Sequence, residues 1–245
     1  MGKQISPNPN NARYFAADGD YNNEDYLNNP EGELTVWSDC TLTNYSDGTL
    51  NNLGILANYH GTLNNGGVLK NIYIGKLNNI GMLHNIFGAT LINGGNEVTI
   101  FGATLTNLGV LGNNGTLINN HYGVLGNYGG GMLNNDGTLK NNKGGGINNG
   151  GTLINSKNGM LINNGSVDNS NSKLGANGFL NWGTYTGNGA ILGSWTDHGT
   201  VKPGNSAGGM LVDGNYYKKG GPKEIELGGT YHGDGDRTAT EHDWI

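Results

Sequence analysis

Residues 109–119 read GVLGNNGTLIN: the phrase Gly-x-Leu-x-Asn, one asparagine, and the phrase again. Working outward from this stretch, the same phrase runs from Cys40 to Trp182 with little else between. Counting Val98, Ile147, Val167, Leu174 and Leu180 among them, 21 positions from Leu42 to Leu180 hold the aliphatic residue, at steps of 6, 7 or 8. Such steps are too short for a helical hairpin repeat and too regular for a loop. They describe a short strand, a corner, and another short strand, which is the pattern of a solenoid.

The positions group in threes. Every third one from Leu42 gives Leu63, Leu83, Leu105, Leu125, Ile147 and Val167, spaced 20 to 22 residues apart. Every second one gives mostly 14, with slips such as the 12 residues from Leu105 to Leu117. The expectation is therefore all-β, a parallel β-helix with three faces and 20–22 residues per coil, with a flattened 14-residue coil as the alternative. Seven coils at the strand spacing of a sheet predict a rod about 34 Å long.

Each residue of the phrase has a physical task. Strand geometry alternates side chains between two sides, so leucine points inward and its neighbours point outward. Asparagine, two residues later, is inward again just as the chain turns. Its amide can bond the corner backbone and, stacked coil on coil, form a ladder. Glycine opens each unit, where a corner needs positive φ or close backbone approach. This ordered placement explains how a chain with 47 glycines and only 34% hydrophobic residues can fold. The threonines before the leucines face outward; the three-face grouping places Thr41, Thr62 and Thr104 with Met82, Val124 and Gly146. That scatter argues against a flat threonine lattice of the ice-binding kind.

Charge and composition exclude several classes. A net charge of −6 with 13 basic residues does not make a nucleic-acid surface. No 18-residue apolar run is present, so no helical membrane insertion is expected, and Met1–Ser6 lacks the apolar core of a secretion signal. One cysteine, Cys40, cannot build a disulfide framework and is expected to be a small buried residue of the first coil. The domain plan read from composition is an N-terminal cap (1–40), a repeat shaft (41–200) and a C-terminal β-helix segment (201–245). Tyr185, Ile191, Leu192, Trp195 and Val201 are expected to fill wider coils near its end.

The last segment carries a resemblance. Residues 199–216, GTVKPGNSAGGMLVDGNY, resemble the PGNSAG-containing segment of bacterial autotransporter-associated and adhesin-type β-helical surface proteins. Glu224-Ile225-Glu226-Leu227-Gly228-Gly229 resembles the strand that follows it there, while His242-Asp243-Trp244-Ile245 departs from that pattern. The resemblance implies a right-handed helix, a secreted or cell-surface setting, and a fragment of something longer. It implies no particular reaction, because adhesins and enzymes share the fold.

Catalysis on a polysaccharide needs carboxylates gathered in one groove. Between Leu42 and Leu180 the acids are Asp47, Glu97, Asp136 and Asp168, no two closer than 32 residues. Asp18-Gly-Asp20 with Glu24 and Asp25, and Asp234-Gly-Asp236 with Glu241 and Asp243, lack the spacing of a calcium loop and read as solvated turns. His60, His84, His121, His198, His232 and His242 never pair at metal-ligand spacing and are expected at corners or on the surface. The sequence thus predicts no catalytic, cofactor or metal residues. It points to a stalk or adhesive module, with a glycan or a host or surface protein as partner and end-to-end self-association as a further partner mode. The alternatives are a polysaccharide-acting enzyme with its site in the caps or beyond, and a self-assembling or ice-binding solenoid.

Overall fold

The computed structural model describes residues 3–4, 14–17, 21–23, 26–29, 32–95, 102–204 and 209–224. Its described strands, 30 in all, form three parallel sheets of 11, 9 and 10 strands. The chain visits them in fixed rotation. The first face takes Thr41–Asn44, the second Thr49–Asn52 and the third Ile55–Asn58, and Thr62–Asn65 returns to the first. This is the expected three-faced parallel β-solenoid, longer than seven coils. Strands at 3–36 and at 211–218 join the same sheets as the repeat.

Strand geometry does what the phrase requires. The burial of Thr104–Asn107, Thr116–Asn119 and Thr138–Asn141 alternates, with leucine and asparagine inside. The leucines from Leu50 to Leu161 on the three faces are fully buried and form one continuous core. Burying each side chain of this size contributes about 1.5–3 kcal/mol before entropy is counted. The glycines opening each strand serve close approach. A Cβ on Gly109 would lie 2.2 Å from the Gly81 carbonyl oxygen, and one on Gly137 2.2 Å from that of Gly115.

From Asn44 to Asn155 the coils repeat every 19 to 22 residues apart from one long insertion, and the coil from Asn181 to Asp197 shortens to 16 where wider coils are expected from sequence. Asn85 to Asn113 spans 28 residues and Asn155 to Asn181 spans 26. The first excess overturns part of the sequence grouping. Among the described strands Leu91 on the second face is followed by Leu105 on the third, whereas the grouping that counts Val98, which lies outside the described residues, puts Leu105 on the first. Leu83 is stacked under Leu111 and Leu133, not under Leu105 and Leu125. The second excess, with a short 3-10 turn at Gly175–Gly178, removes Leu174 and Leu180 from the column. Leu174 is exposed, and Phe179 pairs with Leu153 in place of Leu180.

With the faces corrected, the threonines gather. Thr41, Thr62 and Met82 share the first face, whereas Thr104, Val124 and Gly146 share the third. On the second face the leading outward column runs Thr49, Val68, Thr90, Thr116, Thr138, Met160, Thr184, Thr200. The companion column includes Ile92, Ile118 and Ile162 but also Lys70, Lys140 and Lys202.

The inward asparagines form three ladders. One runs from Asn23 through Asn44, Asn65, Asn85, Asn113, Asn135 and Asn155 to Asn181, each Nδ2 donating to the next Oδ1 at 2.7–2.8 Å. The second runs from Asn29 to Asn163 and the third from Asn58 to Asn169. A second bond fixes their direction: Asn113 Nδ2 also reaches the Thr138 carbonyl at 2.9 Å, and a carbonyl can only accept. Every amide nitrogen therefore points toward the C-terminal end of the rod. The third ladder starts at Asn58 because Val36 occupies that place one coil earlier, which leaves Asn58 Oδ1 buried without a partner.

Candidate binding grooves at the second corner

Corner length decides where this rod is concave. Between the second and third faces the chain turns in four residues at 120–123 and 142–145 but in two at 164–165. The four-residue corners close with hydrogen bonds from Gly123 N–H to Asn120 and from Gly145 N–H to Asn142. The third residue of each has positive φ: +77° at Gly144, and +58° at Tyr122. Glycine enters that region at no steric cost, whereas a bulky side chain there costs about 1–3 kcal/mol. Tyr122 nevertheless holds it, pinned by its N–H to the Gly144 carbonyl (3.1 Å) and by an edge contact with His121 at 4.0 Å. The His121 Nδ1 in turn contacts the Lys143 carbonyl oxygen at 2.9 Å.

Beside Tyr122 lies a groove of about 580 Å3. Its floor is Gly144–Gly146, one flank is Tyr122 and Val124 from the coil before, and the other is Asn164, Gly165 and Ser166 from the coil after. Asn148 closes it along the strand, with its Nδ2 donating to the Tyr128 hydroxyl at 3.3 Å. Asn164 Oδ1 accepts from Asn188 N–H at 3.3 Å. The lining carries no charged side chain. Around the same corner, toward the second face, a smaller hollow of about 340 Å3 is lined by Lys70, Ile72, Tyr73, Ile92, Gly94, Gly95 and Asn120. Tyr73, too, has positive φ, at +58°, and is half exposed.

Other corners also display aromatic rings. Trp182 and His198 lie face to face at 3.8 Å between the first and second faces, and Trp37 stacks on Tyr59 at 5.2 Å between the third and first. Phe87 is 88% exposed at a corner tip. These rings stand singly or in pairs, without a hollow described beside them.

The acids expected from sequence do not gather. Asp47 and Asp136 are exposed on the same corner but four coils apart, about 19 Å at sheet spacing. Asp168 is on the third face, bonded to Ser170 N–H and Oγ. Among the described residues, no three His, Cys, Asp or Glu side chains come together as a metal set. His60, His121 and His198 stand at corners and His84 on the first face, apart from one another. Glu97, Asp18, Asp20, Glu24, Asp25, Asp234, Asp236, Glu241, Asp243, His232 and His242 lie outside the described residues, as do residues 205–208 of the PGNSAG segment and Ile225–Gly229. Cys40 is half buried at a corner, packed against the core.

Sequence reading missed one buried acid that matters to the fold. Asp197, fully buried, terminates the first ladder by accepting from Asn181 Nδ2 at 2.7 Å. It also accepts from Gly199 N–H, the Tyr216 hydroxyl and Lys218 Nζ. Lys218 neutralises it and donates to the Gly199 carbonyl at 2.8 Å. The cluster ends the first ladder and ties it to the next strand of the same face.

No protein-family model matches the chain, and no curated protein matches it in sequence. Among solved structures, a crystal structure of a TibC-catalysed, hyper-glycosylated TibA fragment (TibA55-350) aligns over 85% of this chain and 93% of its own. The two are 16% identical, with a TM-score of 0.28, which is too low to carry anything from that protein to this chain.

Proposed function

We propose that this chain is a structural stalk or adhesive module of a secreted or cell-surface protein, and not an enzyme. The observation that carries the reading is the unbroken stack of leucines with three amide ladders, all running the length of the repeat. Such a rod resists bending and opening, because every coil is tied to the next by backbone and side-chain bonds alike. The described exposed acids of the shaft, Asp47 and Asp136, stand too far apart to act as a general acid and base. A repetitive face and corner grooves suit a glycan or a host or surface protein as partner, and end-to-end association of rods belongs to the same proposal. A screen against pectin, alginate, dextran and host glycans is expected to show binding at most. New reducing ends or unsaturated products would overturn it.

A second reading, adsorption to ice, draws on the threonine column of the second face. Lys70, Lys140 and Lys202 beside it keep their own hydration shells and count against it. Measurable thermal hysteresis, abolished by Thr116→Lys, would move the function there.

A further inference from the structure

We propose that the groove beside Tyr122 is a subsite for one neutral sugar ring of a glycan, a proposal that rests on the adhesive reading and names its site. Three independent features converge there. The first is Gly146. It occupies an outward strand position where the stacked strands carry Lys76, Thr104, Val124 and Ser166. A Cβ built on it would meet nothing nearer than Ser166 Oγ, at 3.7 Å. Neither backbone conformation nor crowding asks for glycine, and glycine weakens a strand. Glycine inside a strand often marks a place where a ligand or another backbone comes close.

The second feature is Tyr122. One coil on, the same corner position is held by Gly144, so the corner itself does not ask for a side chain. The strained backbone carries a half-exposed ring to the edge of the groove. The third is the chemistry of the lining. An aromatic ring, a bare peptide floor and the amides and hydroxyl of Asn148, Asn164 and Ser166 offer a flat apolar face with donors and acceptors around it. No charge faces the groove. A sugar ring has this same division, with C–H groups on its faces and hydroxyls at its rim. A volume of about 580 Å3 falls within the range of small-ligand sites, about 300–1,000 Å3. An acidic glycan would find no counter-charge in the groove.

The test uses two substitutions that are expected to leave the rod at least as stable. Gly146→Val fills the floor with a good strand former, and Tyr122→Gly relieves the corner. The intact chain and both variants are titrated with cello-, malto-, manno- and galacto-oligosaccharides, and with heparin and polysialic acid oligomers as the acidic arm. The expected result is binding of a neutral oligosaccharide that Gly146→Val abolishes and Tyr122→Gly weakens about tenfold or more, a loss of about 1.4 kcal/mol, while Tm holds or rises. Neutral binding unchanged in both variants would overturn the groove and leave the adhesive reading standing. Binding confined to the acidic arm would overturn it too. No binding of any member by the intact chain would overturn the groove and the glycan reading together.

Discussion

The shaft and the far end of this rod solve the same packing problem with different side chains. In the shaft each strand contributes one leucine, or isoleucine at Ile147, and one asparagine to the interior. Beyond Asn163 leucine gives way to Val167, Phe179 and Tyr185, while the inward asparagines end at Asn169 and Asn181. Phe179, Trp195 and Tyr216 stack on one face with ring centroids 5.2 and 4.9 Å apart, and Tyr185 leans against the first two. An amide both donates and accepts, so a ladder of asparagines can continue indefinitely but cannot stop itself. Stopping needs a group that only accepts, or one that bonds sideways. Asp197 ends the first ladder, the Tyr185 hydroxyl accepts from Asn163 at 2.8 Å to end the second, and Asn169 turns its amide to the Gly175 and Ser194 carbonyls to end the third. Gly187, beside Asn163 in the next strand, has φ +121° and no room for a Cβ against the Asn163 backbone. The repeat propagates the ladders, and the aromatic region stops them.

The largest blow to that division should come from putting a ladder residue in the leucine column. Leu111→Asn buries an unpaired amide and loses a fully buried leucine, a cost of about 4–6 kcal/mol. Because coils contact only their neighbours, the damage should split urea unfolding into two transitions rather than shift one. A single unchanged melt by circular dichroism would mean the leucine column is not the core.

At the aromatic end, Trp195→Ala should cost about 3–5 kcal/mol. Trp195 Nε1 is buried without a hydrogen-bond partner, so the ring and not its N–H contributes the stability. Trp195→Phe should therefore cost less than about 1.5 kcal/mol. Equal losses in the two variants, measured by thermal melts, would show that the indole nitrogen has a role the stack does not explain.

Between these in kind, though smaller in size, is a cut through a ladder. Asn113→Ala leaves Asn85 Nδ2 with the Thr116 carbonyl and a long contact to that of Ala89, and removes the donor to Asn135 Oδ1. The expected loss is about 1–3 kcal/mol. Asn64→Ala, on the outward side of the first face, should be nearly silent. If the two variants melt alike, the ladders are spectators of backbone pairing.

Much of this was legible from the repeat. The inward leucines, the ladders and the three faces follow from a period of two within strands and one corner per phrase. What failed was phase. The stretch from Gly94 to Ala103 contains Val98 at an inviting spacing, and counting it shifted every later face by one and hid the threonine column. Spacing alone cannot fix which face a later strand joins; pairing can. The aromatic end was half visible: Tyr185, Ile191, Trp195 and Val201 are buried as expected, but Leu192 faces outward and Phe179 takes the place expected of Leu180. The Tyr122 groove left two signals in the sequence, a bulky residue just before a corner glycine and a third consecutive glycine, Gly146, at a strand position. Both are departures from the phrase, and a reading built on the phrase passes over them.

The smallest effect is conditional on pH, and it separates the two regions without a mutation. Burial raises the Tyr185 phenol well above its ordinary value of about 10, opposed by the smaller pull of the Asn163 amide. Burial, then the charge and hydrogen bond of Asp197, raise Tyr216 likewise. Both phenols thus favour the proton more in the folded chain than in the unfolded one. Their contribution is complete below about pH 10, where both states are protonated, and is lost as pH climbs from there toward the folded values. Tyr216 is partly exposed, so solvent screening discounts its share. The ladders and leucines hold no group that titrates in this range. Above about pH 10 the aromatic end should loosen first, seen as loss of near-ultraviolet dichroism, while the far-ultraviolet signal of the shaft persists. Tyr185→Phe should remove part of the pH dependence and cost about 0.5–1.5 kcal/mol at neutral pH, since Asn163 Nδ2 keeps only the Ala190 carbonyl. Simultaneous loss of both signals would show that the rod melts as one unit and that its end is no more separable than its middle.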